Sequence, residues 1–345
     1  MSGEDRPALL VRVPNWLGDL VLAWPVLEAA AQGAAPSIFA GPDAFRPLLE
    51  PRFPNTLYVA VSRARRWAAV GAIRAARPRK ALLLTDSFSS ALLAWLARVP
   101  ERIGHDAEGR GFLLTKRVPR SGPVRTASRV SEYQALAAAV GLSPASPAPR
   151  LTAQPSEIER AARILERAGL ARGGYLVVAP GASFGPAKQW EADRFIEAVT
   201  RMEGRVDRGL VVVGAADDRS VSAAVLEGAR SARIPCVNLA GKTELPDLIG
   251  ILAGAAAVLS NDSGVMHVAA ALARPTVAVF GSTSPVWTSV SAPWVTNLYA
   301  AYPCSPCYRR TCPIGYGCLR SIAPAQAAAA LDRSLVGASP AGLKS

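Results

Sequence analysis

The chain has 345 residues, half of them hydrophobic and 19% charged, which supplies apolar material for two packed cores and argues against a disordered chain. Its longest purely apolar run, Leu248 to Leu259, has twelve residues and is too short to span a bilayer, and the start, with Glu4, Asp5 and Arg6, lacks the order of a secretory signal. The net charge is +13, with 20 Lys/Arg against 11 Asp/Glu in residues 1–150 and 19 against 15 in residues 151–345, so the first half suits an anionic partner, although the wealth of Arg and Ala equally fits a compositional bias of the genome.

In chain order, Ala8 to Val13 reads as a strand and Leu20 to Ala31 as a helix. Ser37 to Ala40, Leu57 to Val61 and Ala81 to Thr85 read as strands, and Ser87 to Arg98 as a helix. Such alternation implies parallel βαβ units. Residues 143–155, SPASPAPRLTAQP, have the Pro/Ser/Ala composition of a linker. The alternation then restarts. Strands are expected at Tyr175 to Ala179, Gly209 to Gly214, Val258 to Ser260 and Thr276 to Phe280, with helices near 156–169, 191–203, 218–230, 245–255 and 264–273. Continuously apolar strands fit a sheet covered on both faces. The expectation is an α/β chain of two doubly wound domains, 1–150 and 151–345, around a cleft. Ligands of such sheets bind beyond the carboxyl ends of the strands, so the loops after strands are where chemistry belongs.

Five loops stand out. After the first strand, Pro14 to Asp19 ends on a carboxylate at a helix start, which serves either as an N-cap or as a general base. Pro180 to Trp190 offers two glycines, Ser183 and Lys188 as a phosphate cradle, without the spacing of an ATPase loop; a solvated lysine is the alternative. Ser260 to His267 leads from a strand into a helix that Asp262 or Ser263 can cap, and whose N–H groups can receive a pyrophosphate. His267 in its first turn is either a phosphate donor or a packed histidine. Phe280 to Pro285 carries small hydroxyls that suit phosphate, ribose or plain turn chemistry. Asp217 and Asp218, after another strand, suit ribose hydroxyls or a helix cap.

Cys304, Cys307, Cys312 and Cys318 have the spacing C-x2-C-x4-C-x5-C, open to a structural metal or to loop packing, and Cys236 reads as a small buried apolar residue. Two basic groups occur in the first half: Arg63, Arg65 and Arg66 before Trp67, with Arg74, Arg77, Arg79 and Lys80 behind, and Lys116, Arg117, Arg120, Arg125 and Arg129. They read as solvated faces or as contacts to an anionic lipid surface. Aromatic residues are 6% of the chain and no nucleic-acid motif is present, so a basic nucleic-acid-binding protein is the remote alternative.

Together, RVPNWLGDLVLAWP (12–25), PGASFGPAKQW (180–190), LSNDSGVMHVAAALARPTVAVFGSTSP (259–285) and CSPCYRRTCPIGYGCL (304–319) resemble glycosyltransferase family 9, the bacterial lipopolysaccharide heptosyltransferases. The likeness spans nearly the whole chain, and its first and last segments favour the type II branch over type I. It implies a GT-B architecture, an N-terminal domain for a lipid A-Kdo-heptose acceptor and a C-terminal domain for ADP-heptose. It also implies an inverting transfer with no cofactor and no required metal, at the cytoplasmic face of the inner membrane, and no nucleic-acid partner. By position in the family's motifs, Asp19 is the base. Lys188 and Ser183 lie at the donor phosphates, Asp262, Ser263, Gly264 and His267 lie against the diphosphate and sugar, and Asp218 or Asp217 matches a further donor acid. Other transferases of the family, using another acceptor or another nucleotide sugar, are the alternative. Tyr316 stands where a His is frequent and Phe184 where a Trp is frequent, which leaves the acceptor open.

Overall fold

The computed structural model describes residues 9–33, 35–120, 122–123, 125–170, 174–202 and 209–337. Ala8, at the start of the first expected strand, and residue 203, at the end of one expected helix, lie outside the described residues. The chain divides into two units, Met1–Pro149 and Arg150–Ser345.

The first unit holds β1 (Leu9–Arg12), β2 (Ser37–Gly41), β3 (Leu57–Ala60), β4 (Lys80–Leu83), β5 (Glu101–His105) and β6 (Lys116–Val118). They form one sheet in the order β3-β2-β1-β4-β5-β6, every neighbouring pair parallel, with Leu9 opposite Ser37 on one side and Lys80 on the other. The second unit holds β7 (Leu176–Ala179), β8 (Leu210–Val212), β9 (Cys236–Asn238), β10 (Ala257–Asn261), β11 (Thr276–Phe280) and β12 (Val295–Tyr299), in the order β12-β11-β10-β7-β8-β9, again all parallel. Both sheets therefore have the doubly wound order 3-2-1-4-5-6 of a Rossmann-like fold. Each reverses its winding once, between β1 and β4 and between β7 and β10. Loops leaving these strands diverge, which opens a crevice at the switch point.

The sequence builds this arrangement directly. β1, β7, β10 and β11 are buried along their whole length, as their mainly apolar runs require, with Arg12, Ser260, Asn261 and Thr276 buried among them. In the second unit Trp190 packs edge to face on Phe195 at 5.1 Å, beside Val178, Leu259 and Val279. Each such side chain contributes about 1.5–3 kcal/mol by leaving water. The helix Pro155–Arg167 starts with Pro at its first position, and Glu157 Oε2 accepts the Gln154 N–H at 2.8 Å, so its N-terminus is set locally.

Several elements depart from the sequence pattern. The helix expected over 20–31 is two helices, Leu17–Leu22 and Trp24–Ala31, because Pro25 has no N–H to continue the ladder. Strands β5, β6 and β12 and the helices Arg66–Ala76, Arg129–Ala139 and Pro324–Gly337 were not legible. β5 and β6 carry Glu101, Arg102, Lys116 and Arg117 because they lie toward a sheet edge, where no continuous apolar run is needed. Among the described residues, no helix is long and apolar enough to cross a membrane.

Candidate active site

The second unit gathers its polar residues at the β7/β10 switch point. Asn261 ends β10 and ties two loops together. Its Oδ1 accepts the Trp190 N–H at 3.0 Å and its Nδ2 donates to Pro180 O at 2.7 Å. The next residue, Asp262, is fully buried and receives Lys188 Nζ at 2.6 Å. Thr283 Oγ1 donates to the same carboxylate oxygen at 2.6 Å, Thr288 Oγ1 lies at 3.4 Å, and His267 Nε2 is 3.9 Å from the other oxygen. Burial alone would raise the Asp262 pKa. Lys188, His267 and the hydrogen bonds outweigh it and hold the carboxyl below the usual range. Burial, aided by Lys188 and opposed by Asp262, drops His267 to about 4, so its imidazole is neutral at physiological pH. Its Nδ1 is buried without a hydrogen-bond partner among the described residues.

Neither residue expected to cap the helix Gly264–Ala271 does so through its side chain. Ser263 occupies the cap position, but its hydroxyl is 3.0 Å from Ser260 Oγ, and the Asp262 carboxylate is taken by Lys188. The first-turn N–H groups thus have no side-chain cap, and they sit at the positive end of the helix. Lys188 is not a solvated lysine; its side chain is 11% exposed. An ammonium has three donors, so the bond to Asp262 leaves others for an anion. Phe184 lies under this ammonium at 5.0 Å, with the Arg310 guanidinium 5.6 Å from the same ring. Ser183, on the same loop, is exposed.

Asp218 takes the capping alternative. Its Oδ2 accepts the Ala215 N–H at 2.8 Å, and its carboxylate lies so close over Gly181 that a Cβ there would meet it at 2.0 Å. It locks the loops after β7 and β8 together. Thr283 turns into the Asp262 cluster, and Ser284 caps the short helix Pro285–Thr288 by accepting the Val286 N–H at 3.3 Å. The cysteine-rich segment braces these same loops. Arg310 O accepts from Ala187 N, Tyr308 N donates to Ser282 O, and Ser305 Oγ donates to Gly281 O. All five cysteines are free thiols, and among the described residues no group of three or more His, Cys, Asp or Glu is placed to hold a metal. Cys318 is buried in the core, whereas Cys236 is only half-buried against it, because β9 lies at the sheet edge.

The first unit concentrates charge at its own switch point. Trp16 caps the helix Leu17–Leu22, so Asp19 is in the first turn and not at the cap, which corrects the capping alternative. Its side chain, 29% exposed, faces Arg129 Nε at 3.5 Å. Asp86, in the loop after β4, receives Arg120 at 2.8 Å, Arg129 at 3.3 Å and Arg110 at 3.8 Å. Burial pushes Asp86 up, and these three guanidiniums bring it below the usual range. Glu132 takes Arg120 at 2.7 Å and Arg129 at 2.8 Å. The expectation that Arg120 and Arg129 belong to a solvated or lipid-facing surface is therefore corrected. Both are largely buried, because three carboxylates compensate them. Arg63 and Arg65 remain exposed, beside a half-buried Arg66 and an exposed Trp67. Sequence reasoning did not single out Asp86, Glu132 or Asn261, and it placed Arg129 only in a basic group. The switch-point rule would have found Asp86, which follows the fourth strand as Asp262 does in the second unit.

Two Rossmann-like units, one with a buried Lys–Asp pair beside an uncapped helix N-terminus, have the make-up of a GT-B fold. The comparisons are specific. The family model of glycosyltransferase family 9 (heptosyltransferase) matches residues 66–316, and the chain belongs to that family. Lipopolysaccharide heptosyltransferase 2 of Salmonella typhimurium is 33% identical over 302 residues, 81% of this chain and 84% of the relative. Lipooligosaccharide heptosyltransferase 2 of Haemophilus influenzae is 32% identical over 218 residues, 60% of this chain and 62% of the relative. The solved ADP-heptose LPS heptosyltransferase II of E. coli matches with a TM-score of 0.79 and 26% identity, covering 96% of this chain and 99% of that one.

Proposed function

We propose that this chain transfers heptose from ADP-L-glycero-D-manno-heptose to a heptose of the lipopolysaccharide inner core, with inversion, as a type II heptosyltransferase. The observation that carries the donor side is the Lys188–Asp262 pair beside the N-terminus of the helix Gly264–Ala271. In the reaction, Asp19 takes the proton of an acceptor heptose hydroxyl. That oxygen bonds to the donor's anomeric carbon as the bond from that carbon to the diphosphate oxygen breaks, and ADP leaves. The spare N–H donors of Lys188 and the first-turn N–H groups, Gly264 included, meet the charge growing on the diphosphate. Neutral His267 donates or accepts one hydrogen bond there and adds no charge. Ser183 and Ser263 lie on the loops that border this position, and Asp218 acts on the donor by fixing the loop at Gly181.

The domain roles follow: residues 1–150 take the acceptor and residues 151–345 the donor. A coupled ADP-release assay tests the assignment with ADP-heptose, ADP-glucose and UDP-sugars, a heptose-bearing lipid-A-type acceptor, and EDTA present or absent. Acceptor-dependent release from ADP-heptose alone, unchanged by EDTA, is the expected result. Release from another nucleotide sugar would move the substrate and keep the chemistry. Silence with every donor, together with salt-sensitive retention of DNA or RNA, would favour the nucleic-acid-binding alternative.

The exposed Arg63, Arg65 and Trp67 support peripheral association with the anionic cytoplasmic face of the inner membrane. Sedimentation with anionic vesicles should fall as salt rises, since screening weakens exposed charges. Binding that ignores salt would remove this part of the proposal.

A further inference from the structure

We propose that the helices Arg66–Ala76 and Phe88–Leu96, with the turn Gly111–Leu113, form the face on which the first unit docks to an anionic bilayer, and that aromatic side chains of this face enter the lipid interface. The inference rests on the peripheral association proposed above, and it names the surface and the residues that carry it.

Among the described residues, the exposed aromatic side chains are Trp16, Trp67, Phe88, Trp95 and Phe112, and all belong to the first unit. The last four lie on one side of its sheet. Val70 and Ile73 of one helix share a core with Leu93 and Ala97 of the other, and the Arg74 guanidinium donates to Leu96 O. The two helices are therefore side by side, with their outer faces turned the same way. Phe112 joins them through its ring, 6.1 Å from that of Phe88. The helix FSSALLAWL has no charged residue. It buries Ala91, Leu93 and Ala94, and it turns Phe88 and Trp95 outward with half-buried Leu92 between them, at the i, i+4, i+7 spacing of one face. A helix that is apolar on both sides suits a second apolar surface better than water.

The surrounding charge selects the occupant. Residues 63–98 hold eight Lys/Arg and one acid, Asp86, whose carboxylate is taken by Arg110, Arg120 and Arg129. Arg63, Arg65, Arg74, Arg77, Arg79 and Arg98 are exposed. Of the acids before Phe112, Asp106 pairs with Arg117 at 3.4 Å and Glu108 accepts the Phe88 N–H at 3.3 Å. A second copy of the chain would set the same cations against them. Anionic headgroups complement them, and Trp and Phe rings suit the boundary between headgroups and acyl chains. Both helices leave the carboxyl ends of their strands, and Phe88 is two residues beyond Asp86. The docked face thus borders the edge of the sheet at which a lipid-borne acceptor is presented.

The test is flotation of the whole protein with vesicles of phosphatidylglycerol and phosphatidylethanolamine, compared with phosphatidylcholine alone. The wild type should bind the anionic vesicles. Trp67→Ser/Trp95→Ser and Phe88→Ser/Phe112→Ser should each weaken that binding about tenfold at low and at raised salt. Arg63→Gln/Arg98→Gln should weaken it at low salt only, because screening removes what those charges contribute. Ile158→Ser, at an exposed apolar residue of the second unit, should bind as the wild type does. A lipid brominated in its acyl chains should quench the wild-type fluorescence, and quench it less in Trp67→Phe/Trp95→Phe. Aromatic variants that bind like the wild type, or a bound wild type that the brominated lipid does not quench, would overturn the proposal and leave peripheral association to other residues. A wild type that binds no anionic vesicle would refute the peripheral association, and this face with it. Sedimentation equilibrium reads the rival occupant. Self-association that is lost in Trp67→Ser/Trp95→Ser, with vesicle binding intact, would assign the face to a second copy and overturn the proposal.

Discussion

Asp19→Ala is expected to lower turnover about a thousandfold and to leave ADP-heptose affinity within about twofold of the wild type. The size follows from the single event assigned to Asp19, a proton transfer that positioned bases typically accelerate by about two to four orders of magnitude. The selectivity follows from its place in the first unit, whereas the proposed donor residues belong to the second. Stability is followed alongside, since Asp19 pairs with Arg129, which keeps Glu132 and Asp86 in the variant. ADP release gives turnover, calorimetry gives donor affinity, and a denaturant midpoint gives stability. Asp19→Asn, which keeps the shape, should match Asp19→Ala in turnover. Near-normal turnover in either variant would remove Asp19 from the chemistry.

The same residue shows how far a sequence carries such an argument. That Asp19 starts a helix after the first strand follows from the strand pattern of Ala8 to Val13 and from Gly18, and the structure places it in the first turn of Leu17–Leu22. Its partner could not be read. Arg129 is 110 positions away, on a helix whose inward face mixes Arg129 and Glu132 with Val130, Tyr133, Leu136 and Ala137, so nothing local announces the pairing. In the second unit β7 and β10 are legible because they are buried on both faces, and PGASFGPAKQW follows the first of them while SNDSGVMH begins in the last residues of the second. What joins those loops, the bonds from Asn261 to Trp190 and Pro180 and from Lys188 to Asp262, depends on β7 and β10 being neighbours. That is a property of strand order, and local sequence does not encode it. The two readings of Asp218 could not be separated for a related reason. An acid after a strand has the same local pattern whether it meets a ribose or a backbone N–H, and the Ala215 N–H and the close approach of Gly181 become visible only in the fold.

Lys188→Met should cost the second unit about 3–5 kcal/mol and abolish measurable transfer, because it strands a fully buried carboxylate. Thr283 and Thr288 still donate to Asp262, but hydroxyls do not compensate a buried charge. The sign of the pH dependence distinguishes this from simple loss of packing. In the wild type the Asp262 pKa lies below that of the unfolded chain, so its ionisation stabilises the fold at neutral pH and that stability is lost as pH falls through the folded value. Without Lys188 the balance reverses. Burial then raises the carboxyl, the folded state binds the extra proton, and the deficit of the variant should shrink as pH falls from about 7 to 5. Lys188→Met/Asp262→Asn removes both charges and should recover most of the stability while staying inactive, since the donor for the diphosphate is still gone. Fluorescence of Trp190, buried in this unit's core, reports the transition, although the other tryptophans must be subtracted by a Trp190→Phe control. A loss under about 1 kcal/mol in Lys188→Met, or a deficit independent of pH, would mean that Asp262 is not held by this pair, and the donor site would then have to be rebuilt around the helix N-terminus alone.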